Sequence, residues 1–358
     1  MPQRTPRARI ADVAREAGVS KTAVSFAFNS PDRLAPQTAA RIREVADHLG
    51  YRPHPVARML SQRHTATLGV LTPQALSVMF SNPFFGAFSE GVALAAEEAG
   101  YGLYFISPLH GSLAGAMGRA SVDGVVAIGL SDHHHEVEQI RRAGVPLVLV
   151  DSAALPEHGS VVVDDVGGAI AAADHLLDLG HRDVAVFGVE PPVPGDVGED
   201  GVTARRLRGY REAFAGAGLD IPDERVIMGP ATVEGGIAAL ETVLDAPGAA
   251  PTAILAMSDA MAIGAISAAR RHGLRVPHDL SVVGFDDIDL ASHVDPPLTT
   301  VHQPIRQKGE EAVRLLRSVV ERPDGTPPDQ RRLATRLIIR GSAGPAPSGG
   351  KEVPAPRE

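Results

Sequence analysis

The chain of 358 residues contains no cysteine and no tryptophan, and aromatic residues make up only 4% of it. Without cysteine it forms no disulfide bond and has neither a thiolate metal ligand nor a cysteine nucleophile. No run of about 18 apolar residues is present, so we expect no membrane-spanning helix. The first residues lack the apolar core of a signal peptide, and we therefore expect the protein to act in the cytoplasm.

Sequence motifs of several enzyme classes are also missing. No strand pattern is followed by G-x-G-x-x-G, and neither G-x-x-x-x-G-K-[ST] nor G-x-S-x-G occurs. The consecutive residues His133, His134 and His135 would point in different directions, which disfavours a metal site. The sequence therefore predicts no enzyme activity, no catalytic residue, no bound metal and no cofactor.

Charge is distributed unevenly along the chain. Counting 34 Lys and Arg against 43 Asp and Glu, the formal net charge is −9. Residues 1–65 hold eleven basic and five acidic side chains, a charge of +6, so the remainder carries −15. A basic segment joined to an acidic body is typical of a polyanion-binding module attached to a separate domain, although a solvated basic tail has the same composition.

Three short helices are predicted within the basic segment. Apolar residues recur at helical spacing over residues 10–17, 21–28 and 36–49. Gly18 suits the left-handed end of the first helix, and Ser20 suits the N-cap of the second. Two helices joined by a tight glycine-containing turn form a helix-turn-helix, whose second helix enters the major groove of DNA with its N-terminal half. The DNA contacts predicted there are Lys21, Thr22, Ser25 and Phe26.

The run from Ile10 to Leu60, with its DVAREAGVS, VS…N and LGYRP-x-x-x-AR segments, closely resembles the headpiece of LacI-type bacterial transcriptional regulators. The segments SNPFF, RLRGYREAF, SDAMAIGA and LSVVGFDDI extend the resemblance over roughly residues 9–341. It implies a helix-turn-helix domain at 1–52 that binds double-stranded operator DNA, with Asn29 among its contacts. It further implies a two-lobed effector-binding and dimerisation domain at 67–341.

The connecting residues 53–66 are predicted to be a hinge helix or linker. Residues 54–61 have a helical pattern that starts at Pro55 and is too short to be stable alone. The resemblance implies that this helix forms when two subunits bind DNA, that Leu60 wedges into the minor groove and that Arg58 contacts a phosphate or groove. A flexible linker with an incidental leucine is the alternative.

Two residues depart from the family pattern. Family members commonly carry Arg or His where this chain has Phe26, which contacts a thymine methyl but cannot hydrogen-bond a purine. We therefore expect an unusual operator, unless Phe26 packs into the headpiece core. The usual N-cap serine before Pro36 is Ala35, which weakens the start of the third helix by about 1 kcal/mol.

Strand and helix patterns alternate from residue 67 onward. Such alternation predicts parallel sheets with helices on both faces, and the number of strands fits two doubly wound lobes. The resemblance implies the periplasmic-binding-protein-like fold. The segment 107–121 is short for a crossover helix, and the Pro- and Gly-rich residues 342–358 are expected to be disordered. No C-terminal leucine heptad is present, so we expect a homodimer rather than a tetramer. The predicted strands are 68–71, 102–106, 124–128, 147–150, 161–163, 184–187, 226–228, 253–256 and 281–285.

Ligands of such sheets bind beyond the carboxyl ends of the strands. Asn82 follows the first strand and offers amide hydrogen bonds, and either Phe84 or Phe85 offers a flat face to a sugar ring or base. Asp151 ends a strand and is equally compatible with a contact or a structural role. Asp259 begins a helix after another strand, where it contacts the effector or caps the helix.

The resemblance adds two ligand contacts, the Arg206 fork and the acceptor Asp286. Many family members have an aromatic residue where this chain has Ala231, which disfavours a purine. The stretch 190–201 carries four acids and is expected to border the cleft, which disfavours anionic effectors.

These observations predict a cytoplasmic, nucleoid-associated transcriptional regulator, a repressor controlled by a sugar bound between two lobes. A solute-binding sensor without DNA function is one alternative. A regulator of a nucleoside or another metabolite acting by corepression is the other.

Overall fold

The computed structural model describes residues 8–52, 64–108, 113–131, 133–152, 158–190, 201–321 and 329–347. They belong to two compact units, Met1–Ala66 and Thr67–Glu358, each of which is considered by itself. Residues 53–63 of the predicted hinge segment, with Arg58 and Leu60, lie outside the described residues, and so do most of the acidic stretch and the end of the predicted tail.

The first unit, the headpiece, contains three helices, α1 (Ile10–Glu16), α2 (Lys21–Asn29) and α3 (Pro36–His48). The prediction of three helices is confirmed. Gly18 has φ +63° in the turn between α1 and α2, and Ser20 Oγ caps α2 by accepting a hydrogen bond from the Ala23 amide. Ala35 makes no side-chain cap for α3. The core that joins the helices is formed by Val13, Ala14, Ala17, Val24, Ala27, Ile42 and Ala46.

The second unit, the body, contains two six-stranded sheets within the described ranges. Their strands, in chain order, are β1 (Thr67–Leu71), β2 (Gly102–Ile106), β3 (Gly124–Ile128), β4 (Leu147–Val150), β5 (Gly159–Val163), β6 (Val184–Val189), β7 (Val226–Gly229), β8 (Ala253–Ala256), β9 (Ser281–Asp286), β10 (Thr299–His302), β11 (Gln330–Leu333) and β12 (Arg336–Ile338). Most are runs of small and branched apolar residues buried along their length, as strands covered on both faces require.

Helices alternate with these strands. They are α4 (Leu76–Ser81), α5 (Pro83–Glu98), α6 (Leu113–Met117), α7 (His135–Arg142), α8 (Asp165–Asp178), α9 (Val202–Gly216), α10 (Val233–Asp245), α11 (Asp259–Arg271) and α12 (Ile305–Glu321). The prediction that the helix within 107–121 is short is confirmed, because α6 has only five residues.

Each sheet is the centre of one lobe. The first-lobe sheet has the order β11-β5-β4-β3-β1-β2 and is parallel throughout. The second-lobe sheet has the order β12-β10-β9-β8-β6-β7, with only β12 antiparallel. The chain passes between the lobes after β5, after β10 and between β11 and β12. The predicted pair of doubly wound parallel-sheet lobes is confirmed.

Helix α12 completes the first lobe although it follows strands β6 to β10 of the second lobe in sequence. Its apolar face includes Leu315 and Leu316, which pack on two strand glycines. A Cβ atom at Gly124 would lie 2.9 Å from Leu316 Cδ1, and one at Gly159 would lie 3.0 Å from Leu315 Cδ2. These glycines are therefore required for close packing of the helix on the sheet.

The sequence interpretation was wrong at the start of the predicted disordered tail. Ser342 is fully buried, and its Oγ donates to the Val282 carbonyl (2.6 Å) and accepts from the Thr299 amide (2.8 Å). The Gly344 amide also donates to Ser281 Oγ at 3.0 Å. Residues 342–347 are therefore part of the second lobe, and their Gly- and Pro-rich composition reflects an irregular segment pinned by hydrogen bonds.

Candidate functional site

The predicted DNA-contacting residues of α2 share one face of that helix. Positions 21, 22, 25, 26 and 29 follow helical spacing, and Lys21 and Thr22 are exposed. Ser25 and Asn29 are partly exposed, and Asn29 Nδ2 donates to Ser25 Oγ at 3.2 Å. This face is available for a polar partner, as a recognition helix requires.

Phe26 lies outside the hydrophobic cluster of the headpiece. It is partly exposed, and the Arg33 guanidinium carbon is 5.2 Å from its ring centroid. The core alternative for Phe26 is therefore disfavoured. A phenyl face backed by a cation stays compatible with the predicted thymine contact.

In the body, polar side chains collect where the strands of both sheets end. Asp151 follows β4 with φ +62°, Asp286 ends β9 with φ +133°, and Asp287 has φ +59°. Positive φ values are unfavourable for residues with a Cβ atom, and such residues concentrate at binding sites. The carboxyl edges of the two sheets thus form the walls of the candidate effector cleft.

Arg206 on α9 is the centre of the second-lobe wall. Its Nε donates to Asp165 Oδ1 (2.9 Å) and its Nη1 donates to the Met257 carbonyl (2.5 Å). The same Nη1 lies 3.9 Å from Asp286 Oδ1, and the guanidinium carbon is 3.6 Å from the ring centroid of Phe285. Within the described part of the chain, its Nη2 has no hydrogen-bond partner. The structure therefore brings together Arg206 and Asp286.

Asp165 was missed in the sequence analysis. It is the first residue of α8, is 1% exposed, and accepts hydrogen bonds from both Arg206 and Arg205 (2.7 Å to Arg205 Nη2). Burial alone would raise its pKa, but the two guanidinium groups outweigh burial, so the pKa lies below its usual range. An acid at a helix start after a strand was the available signal.

The pKa of Asp286 is shifted in the opposite direction to that of Asp165. Burial raises its pKa to about 6, although the Arg206 guanidinium and the hydrogen bond from Gln303 oppose the shift. Gln303 Nε2 donates to Asp286 Oδ1 at 2.5 Å. A carboxylate with this pKa is ionised at neutral pH and gains a proton in mildly acidic solution.

Asp259 is placed in the second lobe without a free oxygen. Its Oδ1 accepts from Thr300 Oγ1 (2.5 Å) and its Oδ2 accepts from the Ile288 amide (2.9 Å). Burial, together with the nearby Asp286 carboxylate, raises its pKa to about 7. The helix cap at this point is Ser258, not Asp259, because Ser258 Oγ accepts from the Met261 amide. These contacts favour a structural role for Asp259.

The first-lobe wall contains Asn82 and two phenylalanines. Asn82 Oδ1 caps α5 by accepting from the Phe84 amide (3.0 Å), and its Nδ2 donates across the cleft to the Ala231 carbonyl (3.4 Å). Phe85 belongs to the core at 8% exposure, whereas Phe84 is only partly buried. Phe84 is therefore the better candidate for an effector contact.

A second missed pair, Gln303 and Lys308, connects the two walls. Lys308 is fully buried, and its Nζ donates to Asp151 Oδ1 (2.6 Å) and to Gln303 Oε1 (2.6 Å). Gln303 donates in turn to Asp286, as described above. The Arg205 Nη2 group donates to the Asp151 carbonyl at 3.2 Å. The candidate site is thus one network of paired charges spanning both lobes.

The described residues contain no group of three or more His, Asp or Glu side chains arranged to hold a metal ion. His134 caps α7 through its Nδ1, and His135 lies within hydrogen-bond distance of Gln139. None of the helices seen in the described ranges is both long and apolar enough to cross a bilayer.

A helix-turn-helix unit followed by a two-lobed α/β body with a polar cleft defines the class of ligand-responsive DNA-binding regulators. Residues 9–54 match the family "Bacterial regulatory proteins, lacI family", and residues 173–343 match the "Periplasmic binding protein-like domain". With the relatives described next, these matches show that the chain belongs to the LacI family and is a DNA-binding transcriptional regulator.

Two relatives are similar over nearly their whole lengths. The regulator CelR of Thermobifida fusca is 34% identical over 351 residues, covering 95% of this chain and 99% of the relative. The repressor CytR of Escherichia coli strain K12 is 31% identical, covering 94% and 96%.

Solved structures give the same fold. A complex of CelR with cellobiose has a TM-score of 0.70 at 31% identity, covering 94% of this chain and 100% of the other. The lac repressor dimer bound to operator has a TM-score of 0.78, covering 95% and 100%, but at 24% identity it supports the fold alone.

Proposed function

We propose that the chain is a homodimeric repressor whose affinity for a near-palindromic operator is controlled by a neutral, hydroxyl-rich effector, a sugar, bound between the two lobes. It acts in the cytoplasm on nucleoid DNA and catalyses no reaction. The observation that carries the effector class is the internal pairing of the charges in the cleft.

The cleft cations already have anionic or carbonyl partners. Arg205 and Arg206 share Asp165, and Lys308 is bound to Asp151. A phosphate or carboxylate would have to displace one of these buried carboxylates, which costs the energy of a desolvated ion pair. An anionic effector is therefore disfavoured.

A sugar hydroxyl needs no such displacement. It accepts from a guanidinium N–H of Arg206 and donates to the carboxylate of Asp286, and a hydroxyl has both capacities. The partly buried ring of Phe84 offers an apolar surface for the C–H face of a pyranose or furanose. One donor, one acceptor and one flat apolar face suit a polyol ring.

Relatives support a sugar. The CelR structure is a complex with cellobiose, and a LacI-family regulator from Enterococcus faecium, 25% identical with a TM-score of 0.65, contains bound ribose. Both ligands are neutral and hydroxyl-rich. The proposal therefore names a class of effector, neutral sugars, and not one particular sugar.

Effector binding alters operator binding only if the effector prefers one of two lobe arrangements, and the coupling is reciprocal. Residues on both walls contribute to the proposed site, so an effector that bridges Phe84 and Arg206 prefers the closed arrangement. We propose that closure lowers operator affinity, which is induction.

A gel-shift experiment on the upstream region of the gene tests the proposal. The full chain is expected to retard this DNA, and cellobiose, ribose or glucose is expected to release it. A purine nucleoside and glucose 6-phosphate serve as comparison ligands. Release by the nucleoside or the phosphate alone would contradict the sugar assignment. Tighter operator binding in the presence of a sugar would mean that the sugar is a corepressor and not an inducer.

A further inference from the structure

Lys308 lies on the buried face of α12. Ile305, Ala312 and Leu316 flank it at helical spacing, and all are buried in the first lobe. An ammonium group in such a position is unfavourable unless it is paired and hydrogen-bonded. The sequence therefore places a cation where an apolar side chain would serve the packing.

The ammonium group has three donors and three neighbours. Two donors bind Asp151 Oδ1 and Gln303 Oε1 at 2.6 Å each, and Nζ lies 5.1 Å from the ring centroid of Phe84. Asp151 is 10% exposed, whereas Lys308 is completely covered. Asp151, at the carboxyl end of β4, is therefore the more accessible member of the pair, and Lys308 lies behind it and compensates its charge.

We propose that Lys308, acting through Asp151, is the residue that sets the charge of the effector which the first-lobe wall accepts. This inference rests on the proposed function and assigns the selection of an uncharged sugar to one pair of residues. With both residues present, an ammonium group near Asp151 is repelled by Lys308, and a carboxylate there is repelled by Asp151.

Substituting either Lys308 or Asp151 is expected to change the charge preference of the wall, in opposite directions. Lys308→Met keeps a long apolar side chain on α12 and leaves the Asp151 carboxylate uncompensated, so the wall becomes attractive to an amine. Asp151→Asn keeps the shape and leaves the Lys308 ammonium uncompensated, so the wall becomes attractive to a carboxylate. The double variant removes both charges and restores neutrality.

Calorimetry on the full chain with D-glucose, D-glucosamine and D-glucuronate measures this preference, with cellobiose and ribose as further neutral sugars. We expect Lys308→Met to raise the affinity for glucosamine relative to glucose about tenfold, and Asp151→Asn to raise that for glucuronate relative to glucose about tenfold. The double variant is expected to return to the wild-type order of affinities. Arg314→Met on the exposed side of α12, where Arg314 pairs with Glu310 and Glu311, is the matched control and should change neither ratio.

Circular dichroism identifies the variants that fold. A folded Lys308→Met or Asp151→Asn chain with the wild-type ratios would overturn the inference, because a lysine that only fills the core would not alter the sign of the preference. If one single variant does not fold, the other decides. A wild-type chain that binds none of the neutral sugars would contradict the proposed function itself, and the inference would fall with it.

Discussion

The recognition face of the headpiece and the walls of the cleft use charge in opposite ways. On α2, Lys21 and Thr22 are exposed. In the cleft, Arg206 is 5% exposed, and Asp165 and Lys308 are almost completely covered. Asp165 accepts hydrogen bonds from Arg205 and Arg206, and Lys308 donates to Asp151 and Gln303. Each surface therefore suits a different ligand. Exposed cations bind a polyanion by releasing counterions, whereas buried, paired charges present fixed hydrogen-bonding groups to a neutral ligand.

Removing residues 1–65 is expected to have the largest effect, because it deletes the whole DNA-binding headpiece. We expect the truncated chain to lose operator binding entirely while the body, which has its own core, stays folded. In the full chain, operator affinity should fall by about 10³-fold between roughly 50 and 200 mM salt, because phosphate contacts release counterions. Fluorescence anisotropy on labelled operator measures both effects. A truncated body that still binds the operator would place the DNA site elsewhere.

Arg206→Ala tests the paired charges of the cleft. It removes the centre of the second-lobe wall and leaves Asp165 with Arg205 alone, so the effector response should disappear, a loss of about 100-fold in effector affinity. Operator binding without effector should persist. Arg211→Ala, on the same helix and paired with Asp223 at the surface, is the control and should respond normally. An Arg206→Ala chain that binds the sugar as the wild type does would remove Arg206 from the site.

The buried carboxylates of the cleft predict a dependence of stability on pH. The pKa of Asp259 is raised to about 7, so its native form favours the proton and its contribution to stability is lost as pH rises from about 4 to about 7. Asp259→Asn removes that loss. The free energy of unfolding of the variant minus that of the wild type should therefore increase by about 2 kcal/mol from pH 5 to pH 8. Urea denaturation at the two pH values measures the difference, and a constant difference would show that Asp259 is ionised throughout.

Phe26→Arg has the smallest expected effect and tests whether residue 26 contacts a base of the operator. An arginine reads guanine O6 and N7 in the major groove, so the variant should prefer a guanine in each half-site by about 1–3 kcal/mol. Selection from a randomised operator library measures the preference. A variant that loses headpiece stability while keeping its base preference would instead make Phe26 a packing residue.

Much of the fold followed from short-range pattern. The strands at 102–106, 124–128, 147–150 and 253–256 agree with prediction at both ends, because each is a compact apolar run in a parallel sheet, although β2, at the sheet edge, is buried only at Ile106. Strand β11 escaped because it lies at a sheet edge with the polar sequence QRRL. Helix α12 was not predicted, although its apolar residues recur at helical spacing.

The cleft was only partly predictable. Resemblance placed Arg206 and Asp286 together, and the structure brings them within 3.9 Å. Asp165 is 41 residues from its partner Arg206 and Gln303 is 17 residues from its partner Asp286, and packing within the second lobe brings each pair together. Lys308 did carry a local signal, since a lone lysine on an apolar helix stripe is unusual, but its partner Asp151 could not be inferred from spacing.

Helix α12 and strand β11 belong to the first lobe yet come after strands β6 to β10 of the second. On the ribosome, residues 67–163 therefore emerge without the helix that covers Gly124 and Gly159, while the second lobe gains β6 to β10 in one continuous stretch. Domains generally fold as units during synthesis. The second lobe, which at that point lacks only β12 and residues 342–347, is thus expected to become compact first, while part of the first-lobe sheet is still uncovered. Ribosomes stalled so that residue 304 has just left the exit tunnel should accordingly carry a second lobe that is more resistant to protease than the first.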